Sequence, residues 1–237
     1  MDLYERIETY WDERSNKFNS IRIQELNSSN YIAWQTLIQE HLPSHAKLKI
    51  IDIGTGAGFF AILLARMGHT VVGIDSSAKM IEYAKNNAAY YGCDIQFYKM
   101  NAQDLTFSDA AFDLVISRNL TWTLPDAEKA YEEWFRILRT NGILMNFDSD
   151  YGKTCFSKNN DNNNIHKALD QKLLSECNSI KNNLSISTHI RPEWDLSILQ
   201  KIGFRRCMHD KDIRQHVHKD NTLCYDDAML FAIYAVK

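Results

Sequence analysis

The sequence is poor in the residues that enforce unusual backbones or cross-links. It has three prolines in 237 residues, and its five cysteines include no Cys-x-x-Cys pair. Scattered cysteines are typical of reduced thiols in the cytosol and not of a disulfide framework. We therefore expect structural roles for all of them, namely Cys93, Cys155, Cys177, Cys207 and Cys224.

Long apolar runs and an excess of positive charge are also missing. Residues 1–6 are charged and lead into no apolar stretch, so we expect a cytosolic protein without a signal peptide or membrane-spanning helix. The net charge of −3 disfavours a general phosphate-binding surface, because such surfaces need clustered Lys and Arg. We expect no nucleic-acid partner and no membrane partner, and nothing in the sequence indicates an oligomeric state.

Alternating strand and helix patterns are what the sequence does contain. They predict an α/β domain with a doubly wound, mostly parallel sheet, and 45% apolar residues suffice for its core. We expect one domain, with helices at 1–45, a core at 46–148, an insertion at 149–193 and a last helix and strands at 194–237. The predicted strands are residues 48–53, 70–74, 94–99, 112–117, 143–148, 204–209 and 228–236.

A glycine-rich turn follows the first predicted strand. Gly54 permits a tight strand-to-helix turn, Gly56 lets a ligand approach bare backbone, and Gly58 lets the next helix pack closely. Asp75, at the end of the second predicted strand, is placed to accept hydrogen bonds from ribose hydroxyls. The pattern predicts a nucleotide-like ligand.

The glycine spacing narrows the ligand. A dinucleotide fingerprint requires a glycine at its sixth position, where this chain has Phe59. Asp52, two residues before the first glycine, would repel phosphates but suits a cationic amino group. A ligand with a ribose, an ammonium and no phosphate is S-adenosylmethionine.

An ordered series of motifs resembles one family. The segments 52–58, 75–80, 101–105, 112–116 and 231–236 resemble those of class I, Rossmann-like S-adenosylmethionine-dependent methyltransferases, in their small-molecule group. The resemblance implies a seven-stranded sheet with an antiparallel last strand, N-terminal helices and an inserted cap.

The resemblance also implies a set of donor-binding residues. Met80 would lie against adenine, and Ala102 with Gln103 would bind the adenine edge; ordinary packing and a solvated loop are the alternatives for Met80 and Gln103. The full expected set is Trp11, Phe18, Asp52, Gly54, Thr55, Gly56, Gly58, Asp75, Ser76, Met80, Asn101, Ala102, Gln103 and Arg118.

Two further segments are expected at the acceptor side. Asn119 follows the fourth strand, where ligands meet the strand ends, but an adenine methyltransferase would continue with Pro-Pro-aromatic and this chain does not. Trp122 either walls the acceptor pocket or packs beneath the loop. Tyr10, Trp11, Arg14 and Phe18 form a helical stripe that is either a lid over the donor or core.

Candidates for proton transfer are weaker. Asp148, Asp150 or Tyr151 could orient or deprotonate the acceptor, although carboxylates in loops are more often merely solvated. His209, His216 and His218 lie with Cys207 near a predicted hairpin, and His216 and His218 would share one strand face. Without a third fixed ligand we expect no metal site.

The sequence thus predicts methyl transfer from S-adenosylmethionine to a small molecule, leaving S-adenosylhomocysteine. Orientation of the reactants alone can contribute about 7–11 kcal/mol, so a dedicated base is not obligatory. Alternatives are a protein or tRNA acceptor, a nicotinamide-dependent oxidoreductase, and a non-catalytic donor-binding protein.

Overall fold

The computed structural model describes residues 1–43, 47–154, 156 and 170–237. Its elements run, in chain order, α1 (Leu3–Leu26), α2 (Ser29–Glu40), β1 (Lys49–Ile53), α3 (Phe59–Arg66), β2 (Thr70–Asp75), α4 (Ala78–Tyr90), β3 (Gln96–Lys99), β4 (Phe112–Arg118), α5 (Ala127–Ile137), β5 (Leu138–Ser149), α6 (Gln171–Asn182), α7 (Glu193–Ile202), β6 (Arg205–Asp210), α8 (Arg214–Val217) and β7 (Leu230–Val236). All seven predicted strands and the predicted helix at 193–202 are therefore present.

The strands form one sheet in the order β3-β2-β1-β4-β5-β7-β6. β1 to β5 pair in parallel, and β7 is antiparallel to both β5 and β6. The order in which strands are added to the sheet reverses between β1 and β4: β2 and β3 lie on one side of β1, and β5 lies beyond β4 on the other side. Open α/β sheets bind ligands at such a point, at the carboxyl ends of their strands. The predicted fold, including the antiparallel last strand, is confirmed.

Helices cover both faces because side chains alternate along each strand. Ile51 and Ile53 of β1 join a cluster with residues of α1, α5, α6 and α7. Ile50 joins a second cluster, in which Trp34 of α2 contacts Phe60 and Phe147 at ring-centroid distances of 5.0 Å. Thus α1 and α2 belong to the packed layers on the two faces of the sheet.

Helix starts follow the capping rules. Ser77 accepts a hydrogen bond from the Met80 amide at the start of α4, and Asp126 accepts from the Lys129 amide at the start of α5. Such side chains satisfy amides that have no partner within the helix.

Two local features differ from the expectations. β5 starts at Leu138, five residues early, and residues 139–142 interrupt its pairing with β4, with Asn141 at a φ of 63°. His216 lies in the short helix α8, so the shared strand face predicted for His216 and His218 is wrong. Part of the insertion predicted at 149–193 lies outside the described residues, namely Cys155 and residues 157–169, which include an asparagine-rich stretch at 159–164, Ala168 and Leu169.

Candidate functional site

The glycine turn lies at the carboxyl ends of β1 and β2. The amides of Gly54 and Thr55 donate to the carbonyl of Ile74 at 2.9 and 2.8 Å, which ties the turn to β2. Gly54 and Gly56 have φ angles of 71° and 53°, in the left-handed region that favours glycine. A Cβ on Gly56 would lie 2.9 Å from the Phe18 ring. The backbone here is bare because a side chain would have no room.

A cavity of about 670 Å³ opens beside this turn, and we call it the glycine-turn cavity. Its walls come from α1, from the ends of β2, β3 and β4, and from the loop before α5. The lining residues are Tyr4, Ile7, Trp11, Phe18, Gly54, Gly56, Ile74, Asp75, Ser76, Met80, Met100, Asn101, Ala102, Arg118, Asn119, Leu120, Thr123, Leu124 and Pro125.

Asp75 is the acid of the glycine-turn cavity. One carboxylate oxygen accepts from the Gly56 amide and the other from the Ser77 amide, each at 2.9 Å. Each oxygen keeps capacity for a further hydrogen bond, so a diol could be bound. Burial raises the pKa of Asp75 to about 6, which indicates a carboxylate that gains from additional donors.

A second cavity, of about 310 Å³, adjoins the first, and we call it the Asp52 cavity. The Asp52 carboxylate is 2% exposed and accepts from the Thr55 hydroxyl at 2.6 Å and the Ala61 amide at 3.1 Å. Burial raises its pKa to about 7. A cationic group in this cavity would stabilise the ionised form.

Two arginines also line the Asp52 cavity. Arg22 and Arg118 both pair with the fully buried Glu25, and Arg118 binds it through two hydrogen bonds of 3.0 and 2.9 Å. Burial raises the pKa of Glu25, but the adjacent Arg118 and Arg22 outweigh it and lower the pKa to about 2. Two cations around one carboxylate leave a net positive charge, which suits an anionic group of a ligand.

A third cavity, of about 590 Å³, lies on the other side of Phe18, and we call it the aromatic cavity. Its lining residues are Trp11, Arg14, Phe18, Ile21, Arg22, Asn119, Trp122, Tyr151, Phe156, Cys224, Tyr225 and Asp226. The Tyr151 hydroxyl donates to Asp226 at 2.9 Å. Burial raises the pKa of Asp226.

Phe18 and Asn119 border all three cavities. Asn119 has a φ of 54°, a strained value that asparagine tolerates better than most residues. Its backbone N–H donates to the Phe147 carbonyl at 2.8 Å, and its buried side-chain Oδ1 has no hydrogen-bond partner within the described part of the chain. An unpaired buried oxygen at this junction is available to a ligand.

Comparison with known proteins identifies the family. A family model described as a methyltransferase domain matches residues 44–222, well over half of the chain. The chain belongs to the methyltransferase domain family. The resemblance to class I S-adenosylmethionine-dependent methyltransferases is confirmed.

Individual relatives are more distant. A putative methyltransferase of Bacillus subtilis is 30% identical over 132 residues, 54% of this chain and 52% of that protein. A ubiquinone biosynthesis O-methyltransferase of Pelagibacter ubique is 29% identical over 143 residues, 58% of each chain. The matches thus span about half the length of these curated relatives.

A solved structure supports the fold. A possible histamine N-methyltransferase of Thermotoga maritima superposes with a TM-score of 0.62 at 18% identity, covering 97% of this chain and 99% of that one. At this identity the likeness establishes the methyltransferase fold alone.

Most of the predicted donor-binding residues lie together in the methyltransferase domain. The glycine-turn cavity is lined by Trp11, Phe18, Gly54, Gly56, Asp75, Ser76, Met80, Asn101, Ala102 and Arg118. Asp52 and Thr55 line the Asp52 cavity. Gly58 lines neither; a Cβ there would lie 3.3 Å from Ala84 of α4, in agreement with a role in packing.

Two predicted side chains are used elsewhere. The Gln103 side chain accepts from the Asp126 amide at 2.7 Å and so caps α5, instead of lining the glycine-turn cavity. Asp148 is fully buried, where its carboxylate accepts from Trp122 and Ser149 amides and pairs with Arg191 at 3.0 Å. A carboxylate whose oxygens already hold these partners is structural, so we drop Asp148 as a proton acceptor.

The candidate residues in the loops after β4 and β5 also differ in whether they line a cavity. Asp150 accepts from the Arg191 amide at 3.3 Å, whereas Tyr151 and Trp122 line the aromatic cavity. The Trp122 ring also packs on Tyr151 at a centroid distance of 4.8 Å, and its place in the wall of an acceptor pocket stays a prediction.

The histidines are apart from the cavities. His218 stacks on Tyr225 at 3.6 Å, and burial lowers its pKa to about 4. His209 belongs to β6 and His216 to α8. Among the described residues, no three His, Cys, Asp or Glu side chains are grouped closely enough to hold a metal ion.

Sequence reasoning missed several polar residues of the site, namely Tyr4, Arg22, Glu25, Tyr225 and Asp226. The signal for Arg22 was available: it follows Phe18 by four positions and continues the stripe of Arg14 and Phe18 along α1. Asp226 had no comparable signal, because it lies in a loop.

Proposed function

We propose that this chain transfers a methyl group from S-adenosylmethionine to a small-molecule acceptor. The observation that carries the proposal is the meeting of three cavities at Phe18 and Asn119, each with a different chemistry. One offers an acid beside bare backbone, one a buried carboxylate beside two arginines, and one aromatic walls.

The donor's parts match the first two cavities. Asp75 would bind the ribose, with adenine near Met80 and Ala102. Asp52 would face the ammonium, and Arg22 and Arg118 the carboxylate of the methionine part. When bound, S-adenosylmethionine supplies an electrophilic methyl group on a sulfonium. The residues here would hold it and exclude water, and the ring of Phe18 would place no carboxylate beside the sulfonium, whose charge is lost during transfer.

A small acceptor is supported by the aromatic cavity. Its walls include the rings of Trp11, Phe18 and Trp122, which suit the apolar body of a small molecule. Two similar proteins are named for O-methylation in ubiquinone biosynthesis and for possible histamine N-methylation, so the family provides precedents for small acceptors. The Tyr151–Asp226 pair is the best-placed proton acceptor, with the Asp226 carboxylate receiving the proton.

Isothermal titration with S-adenosylhomocysteine tests donor binding. We expect saturable binding by the wild-type chain and a loss of at least about tenfold in affinity for Asp75→Ala, since hydrogen bonds to a charged group contribute about 1.5–3 kcal/mol. Asp94→Ala is the matched control, because Asp94 is an exposed carboxylate just before β3. No binding of S-adenosylhomocysteine or S-adenosylmethionine at millimolar ligand would falsify the proposal.

Titration with NADH and an assay of methyl transfer separate the alternatives. Binding of NADH in preference to S-adenosylhomocysteine would favour an oxidoreductase. Methyl transfer to a protein or tRNA, with none to small molecules, would leave the donor site intact and change the acceptor class.

Among the described residues, no helix has the length and apolar character needed to cross a membrane.

A further inference from the structure

Among the described residues, Arg14 is a buried cation without a carboxylate partner. It lies on α1, is 6% exposed, and donates one hydrogen bond from Nη1 to the Tyr10 hydroxyl at 2.9 Å. Its Nε has no partner. Its guanidinium lies over the rings of Tyr10 and Trp11, 5.7 and 5.6 Å from their centroids.

The other arginines with buried side chains all have acidic partners. Within the described part of the chain, Arg22 and Arg118 share Glu25, and Arg191 pairs with Asp148 and Asp195. A guanidinium stays charged in proteins, and burying it without an anion costs free energy that two aromatic rings offset only in part. Among the described residues, Arg14 therefore lacks the acidic partner that each of these three arginines has.

The position of Arg14 indicates where that anion would come from. Arg14 lines the aromatic cavity and neither of the two cavities assigned to the donor. The other charges of the aromatic cavity are accounted for, because Arg22 pairs with Glu25 and Asp226 accepts from Tyr151 and from the Ala228 amide. Arg14 is therefore the arginine of the aromatic cavity that has no carboxylate partner among the described residues, and this cavity is the one proposed for the acceptor.

We propose that the acceptor carries an anionic group, a carboxylate or a phosphate, which Arg14 binds. The acceptor's apolar, flat part lies among the rings of Trp11, Phe18 and Trp122, and its nucleophile faces the junction at Asn119. This inference rests on the proposed function, and it specifies the substrate class: a small organic acid with a planar body.

Two probes with one ring system and opposite charge test the proposal. Indole-3-acetate and tryptamine are titrated separately into the chain saturated with S-adenosylhomocysteine, which fills the donor cavities and their arginines. We expect indole-3-acetate to bind at least about tenfold more tightly than tryptamine. Equal affinities, a preference for tryptamine, or binding of neither probe at millimolar concentration would overturn the proposal.

Variants assign the preference to one residue. Arg14→Gln should abolish the preference for the anion while leaving S-adenosylhomocysteine affinity unchanged. Arg6→Gln is the matched control, because Arg6 is on the same helix but binds Glu176 and Ser179 outside the aromatic cavity. An unchanged preference in Arg14→Gln, or a parallel loss of S-adenosylhomocysteine binding, would contradict a role in the acceptor site.

Two safeguards keep the outcomes distinct. Arg14→Lys keeps the charge and should keep a weaker anion preference, so it replaces Arg14→Gln if that variant fails to fold. If the wild-type chain does not bind S-adenosylhomocysteine, the proposed function fails. If it binds S-adenosylhomocysteine but shows no charge preference, only the anionic acceptor is wrong.

Discussion

Asp52 and Asp75 are two carboxylates with the same intrinsic acidity that the fold buries beside the glycine turn. Burial raises the pKa of Asp52 to about 7 and that of Asp75 to about 6. Neither carboxylate has an ion-pair partner among the described residues, and a hydrogen-bonding or cationic ligand would stabilise the charged form. At the scale of the residue, the site is built to gain from a ligand.

We predict that these acids make the ligand-free chain less stable as pH rises. A carboxyl whose pKa is higher in the folded than in the unfolded state binds its proton more tightly when folded. Its contribution to stability is therefore lost as pH rises from about 4, the unfolded value, to about 7 for Asp52. Thermal unfolding at pH 5 and pH 8 measures this loss as the difference between the wild-type chain and Asp52→Asn, because His218, whose pKa burial lowers to about 4, changes stability in the opposite direction over part of this range.

Asp52→Asn should reduce this pH dependence, because the amide does not titrate. Asp94→Asn, an exposed site, should leave the pH dependence as it is. Saturation with S-adenosylhomocysteine should also reduce it in the wild-type chain, since the ligand's ammonium would stabilise the ionised Asp52. A pH dependence that is identical in wild type and Asp52→Asn would contradict this account.

At the scale of the element, α1 covers the site. Its Asp12 accepts hydrogen bonds from the Ser77 hydroxyl and the Lys79 amide at the start of α4, and its Trp11 and Phe18 border the cavities. The sequence left open whether this stripe is a lid or core. Tyr10 is buried in a core cluster, whereas Trp11 and Phe18 are only partly buried and line cavities, so the lid stays a prediction for these two residues.

We predict that donor binding protects α1 from hydrogen exchange. If the helix must loosen to admit the donor, exchange of amides at 11–18 should slow by up to about a hundredfold when the ligand is at about a hundred times its Kd. Hydrogen–deuterium exchange with and without S-adenosylhomocysteine measures this. α7 serves as the internal reference, and equal protection changes in α1 and α7 would show that α1 has no special role.

At the scale of the whole molecule, a second buried ionic network is centred on Arg191. Arg191 binds Asp148 at 3.0 Å, Asp195 at 2.8 Å and the Thr121 hydroxyl at 2.6 Å. The partners come from the end of β5, from α7 and from the loop after β4. The network therefore holds three elements together behind the aromatic cavity, and it explains why Asp148 is structural.

We predict that Arg191→Met lowers the free energy of unfolding by about 3–5 kcal/mol, because it leaves two buried carboxylates without their cation. Arg214→Met is the control: Arg214 pairs with Asp212 at the surface, where such pairs contribute about 0–1 kcal/mol. Urea unfolding measures both. A similar loss in the two variants would show that the Arg191 network is not a principal support of the fold.

The sequence by itself determined the features that local patterns encode. The seven strands, the glycine turn at residues 54–58 and the acid at Asp75 follow from side-chain periodicity and from backbone angles that only some residues tolerate, and both are legible within a short window. Most of the predicted donor-binding residues are therefore found together, although their roles stay predictions.

Only the tertiary structure decided which charges meet. Glu25 binds Arg118, 93 positions away, and Tyr225, 200 positions away. Asp148 was a candidate for proton transfer in the sequence, yet it is held by Arg191, whereas Asp226, which sequence reasoning missed, lines the aromatic cavity. Whether a buried charge is paired depends on contacts between distant segments, and no local pattern records them.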